Sequence, residues 1–208
     1  MPSLTRLVVV LLLALAGFVL LALGYEHDPL ASLDHDVSTW VATSLPAPLE
    51  WLGHPFSWLG GWIGLAALAV VATVLLARKR AWLDLGFFLA ALVGSQLAVA
   101  LLKAWFDRPR PDAGSAVPLP ASAAFPSGHA AAGVATLGAA AVLIAERLPS
   151  GRDRASLWAG TALLAVGIGL SRIALNVHYV TDVLAGWLFG LAWLAICLLV
   201  RDRLRARG

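Results

Sequence analysis

Residues 81–111 read AWLDLGFFLAALVGSQLAVALLKAWFDRPRP. An apolar run from Ala81 to Leu102 ends at Lys103, and Arg108-Pro109-Arg110-Pro111 follows within a few residues. A bilayer-spanning helix needs about 20 apolar residues. The stretch therefore predicts a membrane span that delivers a group of cations to one membrane surface. Five more runs of the same kind are present, at Leu7–Gly24, Trp58–Ala77, Gly128–Ala145, Leu157–Leu175 and Val183–Val200.

Composition agrees. Of 208 residues, 60% are hydrophobic and 13% charged, and the mean hydropathy is +0.84. Soluble domains are about 45–50% apolar and about 25% charged. A soluble chain of this size cannot hide so much apolar surface. A soluble cytosolic enzyme, a disordered chain and a disulfide scaffold are excluded, the last because Cys197 is the only cysteine. The expectation is an all-α integral membrane protein, a six-helix bundle forming a single domain over residues 1–208. The first run follows Arg6 and reads as an uncleaved helix, because it exceeds the usual core of about 7–15 residues in a signal peptide.

Basic residues set the orientation. Arg6, Arg78, Lys79, Arg80, Arg147, Arg152, Arg154, Arg201, Arg203, Arg205 and Arg207 fall on one side, eleven of the fifteen Lys and Arg. Only Lys103, Arg108, Arg110 and Arg172 fall on the other. The positive-inside rule puts both termini in the cytoplasm. Eight of the twelve acids lie on the outer side: Glu26, Asp28, Asp34, Asp36, Glu50, Asp107, Asp112 and Asp182. The pI of about 9.6 is thus a mark of topology and not of nucleic-acid binding. All five histidines (His27, His35, His54, His129 and His178) also fall outside, which topology does not explain.

The outer segment Tyr25–Ser57 is the longest piece outside the spans. Leu30, Leu33, Val37, Trp40 and Val41 recur at helical spacing, and Asp34, His35 and Asp36 take the other face. This predicts a short helix lying in the outer interface with a solvated acidic face, ended by Pro46 and Pro48. Trp58, Trp62, Trp82, Trp105 and Trp158 sit near helix ends as interfacial anchors, whereas Trp187 and Trp193 read as packing residues. Gly186 and Gly190 form a GxxxG, open to dimerisation or to close packing within the chain.

Three polar clusters lie at outer helix ends: Lys103 through Arg110-Pro111, then Pro126-Ser127-Gly128-His129, then Ser171-Arg172, His178 and Asp182. An ionisable group within an apolar run, such as Arg172, is a functional hypothesis by default. Together the clusters suit a phosphate. Arg110 and Arg172 offer planar forks to its oxygens, and Lys103 a point charge. Ser127, Gly128 and His129 begin a helix, whose free N–H groups and positive end favour an anion. His178 and Asp182 are four apart and share a face if helical. A carboxylate on one ring nitrogen sets the tautomer and sharpens the other for attack. His129 has no such partner and is the better group to protonate a leaving oxygen. A metal held by His129, His178 and Asp182 is disfavoured by the three cations beside it.

These residues resemble the signature of the type-2 phosphatidic acid phosphatase superfamily, K-x6-R-P, then P-S-G-H, then S-R-x5-H-x3-D. Lys103 to Arg110-Pro111, Pro126 to His129, and Ser171-Arg172 through His178 to Asp182 match it in order and spacing. The family is similar in core and site to soluble vanadium haloperoxidases, a branch that the composition excludes. The resemblance implies a six-helix lipid phosphatase that needs no metal or other cofactor. It also implies that His178 attacks phosphorus, Asp182 holds His178, and His129 serves the leaving group and then water. Lys103, Arg110, Arg172, Ser127 and the Gly128 N–H hold the phosphoryl oxygens.

Arg108 lies outside the signature, and is expected either to reach a second phosphate or headgroup or to stand at the rim. The expected partner is a lipid phosphate of the outer leaflet in a bacterial inner membrane, with no nucleic acid. Undecaprenyl diphosphate comes first, then phosphatidic acid and phosphatidylglycerol phosphate. A lipid phosphotransferase, or a transport or phospholipid-binding protein, is the alternative reading. Oligomeric state is left open.

Overall fold

The computed structural model describes residues 3–112 and 114–207, and every regular element among them is a helix. The elements are α1 (Leu4–Gly24), α2 (Leu30–Ser44), α3 (Ala47–Gly60), α4 (Trp62–Arg78), α5 (Trp82–Leu89), a π-helical turn (Ala90–Gly94), α6 (Ser95–Phe106), α7 (Gly128–Ala145), α8 (Gly151–Ala174) and α9 (Val180–Arg205). Six stretches are long and apolar enough to cross a membrane: α1, α3 with α4, α5 with α6, α7, α8 and α9. Each expected run falls at least in part on one of them.

The centre of the bundle is α7, whose buried positions Ala131, Gly133, Ala135, Gly138 and Ala139 look out on every side. Small residues let its neighbours come close. A Cβ on Gly186 would stand 2.6 Å from the Ser127 carbonyl oxygen, and one on Gly190 would stand 2.6 Å from that of Ala131. The GxxxG of α9 is thus spent against α7 within the chain. On the other side of α7, Gly133 faces Ile168 of α8.

Two expectations about the outer segment are corrected. Residues 47–57, expected to lie outside the spans, form most of α3, and with α4 they make a candidate span of 32 residues. Pro46 does follow the end of α2. Pro48, however, lies in the first turn of α3, where a missing N–H costs nothing. α3 lies against α8, with Gly53 facing Leu175, Gly60 facing Ile168, and Phe56 facing Gly167.

The second correction concerns α2. Asp34 and Ser38 are its buried residues, while Leu33 and Trp40 are exposed. His35 and Asp36 are exposed as expected, but Asp34 is 2% exposed and points inward. Asp34 and Ser38 turn inward because the groups they meet there, Arg108, Thr181 and Asn176, are polar.

The third span is interrupted at the π-helical turn Ala90–Gly94. Such a turn frees a backbone carbonyl, and Trp193 of α9 donates its indole N–H to the Ala90 oxygen at 2.9 Å. Trp187 donates likewise to the Ala165 oxygen at 3.1 Å, so both tryptophans are packing residues with satisfied N–H groups.

At the opposite end from the three polar clusters, Arg201 is 1% exposed. Its guanidinium bonds Asp84 at 2.7 Å and 3.1 Å and Glu146 at 2.8 Å twice. Burial alone would raise the Glu146 carboxyl, but bonds from Arg201 and Arg205 outweigh it and lower it to about 2. Arg201 ties α5, α7 and α9 together, a role beyond topology.

Candidate active site

Four helix ends build the site. α6 closes with Lys103 in its last turn, and Asp107 caps it in a left-handed conformation, φ 43°. That turn sends Arg108 and Arg110 back over the bundle. α7 starts at Gly128 with Ser127 as its N-cap, the Ser127 hydroxyl accepting from Ala130 N–H at 3.5 Å. α8 delivers Arg172 in its last turn. The turn from Leu175 to Tyr179 carries His178, and the first turn of α9 carries Asp182.

These ends surround one cavity of about 560 Å³ lined by Lys103, Arg110, Gly128, His129, Arg172 and His178, with Gln96, Val99 and Ala100 of α6 below. Ser127 and Asp182 do not line it. Both are fully buried one layer behind, and Ser127 N–H donates to the Asp182 backbone oxygen at 2.9 Å. The structure therefore brings all eight residues singled out by sequence into one place, in two layers.

The inner layer fixes His178. Its Nδ1 stands 3.3 Å from Asp182 Oδ2, which also accepts Tyr179 N–H at 2.9 Å. With Nδ1 carrying the proton toward the carboxylate, Nε2 presents a lone pair, and Arg110 Nη1 lies 3.2 Å from it. Burial drives the His178 imidazole down to about 4; Asp182 opposes this, while Lys103 and Arg110 add to it. At neutral pH the ring is uncharged, the form that attacks an electrophile.

The cations are preorganised by the backbone. Lys103 Nζ donates to the oxygens of Ala123 and Ala124. Arg110 donates from Nε to Ser122 O at 2.9 Å and from Nη1 to Val177 O at 2.7 Å, and its burial lowers its pKa. Arg172 donates from Nη1 to Ser57 Oγ of α3, while its buried Nε has no partner within the described residues. No carboxylate lies within ion-pair distance of Lys103, Arg110 or Arg172 among the described residues, and with Asp107 the one acid on the wall the cavity is net positive and set for an anion. Gly128 has room for a Cβ, with Val99 and Gln96 more than 3.4 Å away. His129 lies beside the break between α3 and α4, its Nε2 3.5 Å from where a Cβ of Gly61 would stand.

Arg108 matches neither expectation. It is 8% exposed and does not line the cavity. It donates from Nη1 to Asp182 Oδ1 at 2.6 Å and to Thr181 Oγ1 at 2.7 Å, and from Nη2 to Asp34 Oδ2 at 2.8 Å. Its guanidinium carbon sits 4.4 Å from the ring centres of both Tyr25 and Tyr179. Sequence reading also missed Ser57, Asp34 and Thr181. No local pattern marks them, because their partners lie more than 70 residues away.

Residues 82–206 match the family described as the PAP2 superfamily. The chain is 30% identical over 129 residues to phosphatidylglycerophosphatase B of Bacillus subtilis (strain 168), covering 61% of this chain and 62% of that one. It is 34% identical over 140 residues to decaprenylphosphoryl-5-phosphoribose phosphatase of Mycolicibacterium smegmatis, covering 65% and 67%. The matched part thus spans roughly three fifths to two thirds of these curated relatives. A crystal structure described as the first transmembrane PAP2 type phosphatidylglycerolphosphate phosphatase from Bacillus subtilis superposes with a TM-score of 0.85 at 25% identity, over 93% of this chain and 96% of that one.

Proposed function

The chain belongs to the PAP2 superfamily, and from that membership we propose that it is a membrane lipid phosphatase working through a phosphohistidine without a metal. The observation that carries this reading is the pairing of a neutral His178, backed by Asp182, with a cavity wall of three unneutralised cations. His178 Nε2 attacks phosphorus, and the P–O bond to the lipid breaks. His129 protonates the departing oxygen and then takes a proton from the water that releases inorganic phosphate. Lys103, Arg110, Arg172 and the N-terminus of α7, with Ser127 and the Gly128 N–H, stabilise the charge on the phosphoryl oxygens. Arg110, which now faces Nε2, swings its fork onto the phosphate.

A lipid phosphate monoester ranks ahead of undecaprenyl diphosphate. Arg108, for which a second phosphate was one of two expected roles, is committed to Asp34 and Asp182. Lys103, Arg110 and Arg172 suffice for a single phosphoryl group. The names of the two relatives put phosphatidylglycerol phosphate and a polyprenyl-linked sugar phosphate at the head of the substrate panel. The charge distribution favours cytoplasmic termini and a site at the extracytoplasmic face of a bacterial plasma membrane.

The test is phosphate release by the purified protein in detergent micelles, with and without chelator, from a panel of lipid phosphates. Release is expected to survive chelation and to vanish in His178→Ala. Full activity in that variant would overturn the nucleophile assignment. A phosphorylated acceptor lipid formed without free phosphate would turn the reading to a phosphotransferase.

A further inference from the structure

Asp182 has two carboxylate oxygens with separate duties. Oδ2 receives His178 Nδ1 and the Tyr179 N–H. Oδ1 receives Arg108 Nη1 at 2.6 Å. Behind Arg108 stands Asp34 of α2, which binds Nη2 with Oδ2 and also accepts Thr181 N–H at 3.0 Å and the Thr181 hydroxyl. Asp34, Thr181 and Asp182 are at most 2% exposed. A carboxylate buried to that degree on the outer helix is costly unless paired, and its only cationic partner among the described residues is Arg108.

We propose that Asp34 and Arg108 are positioning residues for the His178–Asp182 pair, making α2 part of the catalytic apparatus. Asp34 lies outside the residues matched to the family, 82–206. Arg108 holds Oδ1, so Asp182 cannot turn away and Oδ2 stays on the imidazole Nδ1. Asp34 in turn holds the far side of the guanidinium fork. The faces of Tyr25 and Tyr179, each 4.4 Å from its guanidinium carbon, keep it in plane. The pK of Arg108 supports the pairing. Burial works to lower it, yet Asp182 and Asp34 together leave it raised.

A merely structural pin would act on stability and substrate affinity alike. A positioning residue acts on the chemical step, through Asp182. This inference rests on the phosphatase reading above, and the experiment separates the two. The probe is short-chain phosphatidic acid in detergent micelles, and the variants are Arg108→Gln, Arg108→Lys, Asp34→Asn, Asp182→Asn and the double Arg108→Gln with Asp182→Asn.

Arg108→Gln is expected to lower kcat about 10- to 100-fold, the rate equivalent of one charge-assisted hydrogen bond, with KM within about twofold. Arg108→Lys recovers part of the loss, because a point charge still reaches Asp182 but cannot bridge both carboxylates. Asp34→Asn gives a smaller loss of the same kind, and it carries the test should Arg108→Gln fail to fold. The double variant is expected to be no slower than Asp182→Asn alone, since coupled residues are non-additive. Multiplying losses, an unchanged kcat in both Arg108→Gln and Asp34→Asn, or a loss confined to KM would each overturn the proposal. If the wild type releases no phosphate from any lipid probe, the phosphatase reading fails. The ¹⁵N ring signals of His178 then decide: an Nδ1–H tautomer unaltered by Arg108→Gln and Asp34→Asn sinks the positioning role.

Discussion

Gly186→Ala adds one methyl group at a tight backbone contact beside the site. Its Cβ would meet the Ser127 carbonyl oxygen at 2.6 Å, Ala130 Cβ at 2.9 Å and Ala131 N at 3.3 Å. The first and last are backbone atoms of the α7 start, so no side chain can turn aside. Ordinary contact requires α9 and α7 to separate by several tenths of an ångström. The same α7 start is bonded to α9, through Ser127 N–H to the Asp182 oxygen at 2.9 Å. Separation therefore moves Ser127, Gly128 and His129 away from Asp182 and His178.

Overpacking of this kind costs about 1–3 kcal/mol. A misplacement of about 1 Å between catalytic groups costs about 100-fold in rate, so a shift of about half that predicts about a tenfold loss. The assay is kcat on short-chain phosphatidic acid beside thermal unfolding in the same detergent. Gly160→Ala is the control, because nothing lies within 4 Å of a Cβ there. It is expected to keep both wild-type kcat and stability. A Gly186→Ala protein with wild-type kcat and unchanged unfolding temperature would refute the claim that this glycine couples α9 to the phosphate-binding end of α7.

Three further outcomes are expected. Because burial holds the folded His178 at about 4 instead of 6.5, the unfolded chain takes up this proton first as pH falls. The contribution is complete above about pH 6.5 and is lost toward pH 4, by up to about 3 kcal/mol at 1.36 kcal/mol per pH unit; His178→Asn should flatten that slope in unfolding temperature, and an identical slope would disprove it. Arg201→Met removes the bonds to Asp84 and Glu146 but leaves Arg205 paired with both, and should destabilise by about 1.5–3 kcal/mol. It should leave kcat intact, since Arg201 is roughly 28 Å along α9 from Asp182 at 1.5 Å per residue; loss of kcat in a folded sample would contradict this. Asp36→Cys, on the exposed face of α2, should react with an impermeant maleimide added outside intact cells, and labelling only after the cytoplasmic side is opened would reverse the topology.

The spans and the site cores are legible in sequence for different reasons. A span declares itself by length and apolarity, and Gly128–Ala145 begins and ends where its run does. The eight site residues declare themselves because polar groups are scarce among apolar ones and keep fixed spacings. α3 was hidden by Pro46 and Pro48, which mark a helix start as readily as an end. The reading of α2 failed on a physical point. In water an apolar face looks inward, whereas at a membrane surface it has lipid to meet, and the polar face is free to turn toward the protein. Leu33 and Trp40 are exposed and Asp34 and Ser38 point inward, while His35 and Asp36 keep the exposed positions expected of them.

Charge counting separates cations by membrane side, and it assigns Arg108 to the outer four and Arg201 to the inner eleven. By environment the two belong together. Each is a nearly inaccessible guanidinium between two carboxylates, Asp34 and Asp182 in one case, Asp84 and Glu146 in the other. A guanidinium held between two protein carboxylates has its charge matched by them and is not free to turn to a phosphate. Lys103, Arg110 and Arg172 differ in this one respect: their bonds run to neutral groups, so no ion pair offsets their charge toward the cavity. The cations proposed to hold the phosphoryl group are therefore distinguished by the absence of an acid partner and not by depth or sequence position. It follows that a carboxylate introduced beside Arg172, as in Ser57→Asp, should weaken anion binding by neutralising the wall even though it adds an ion pair.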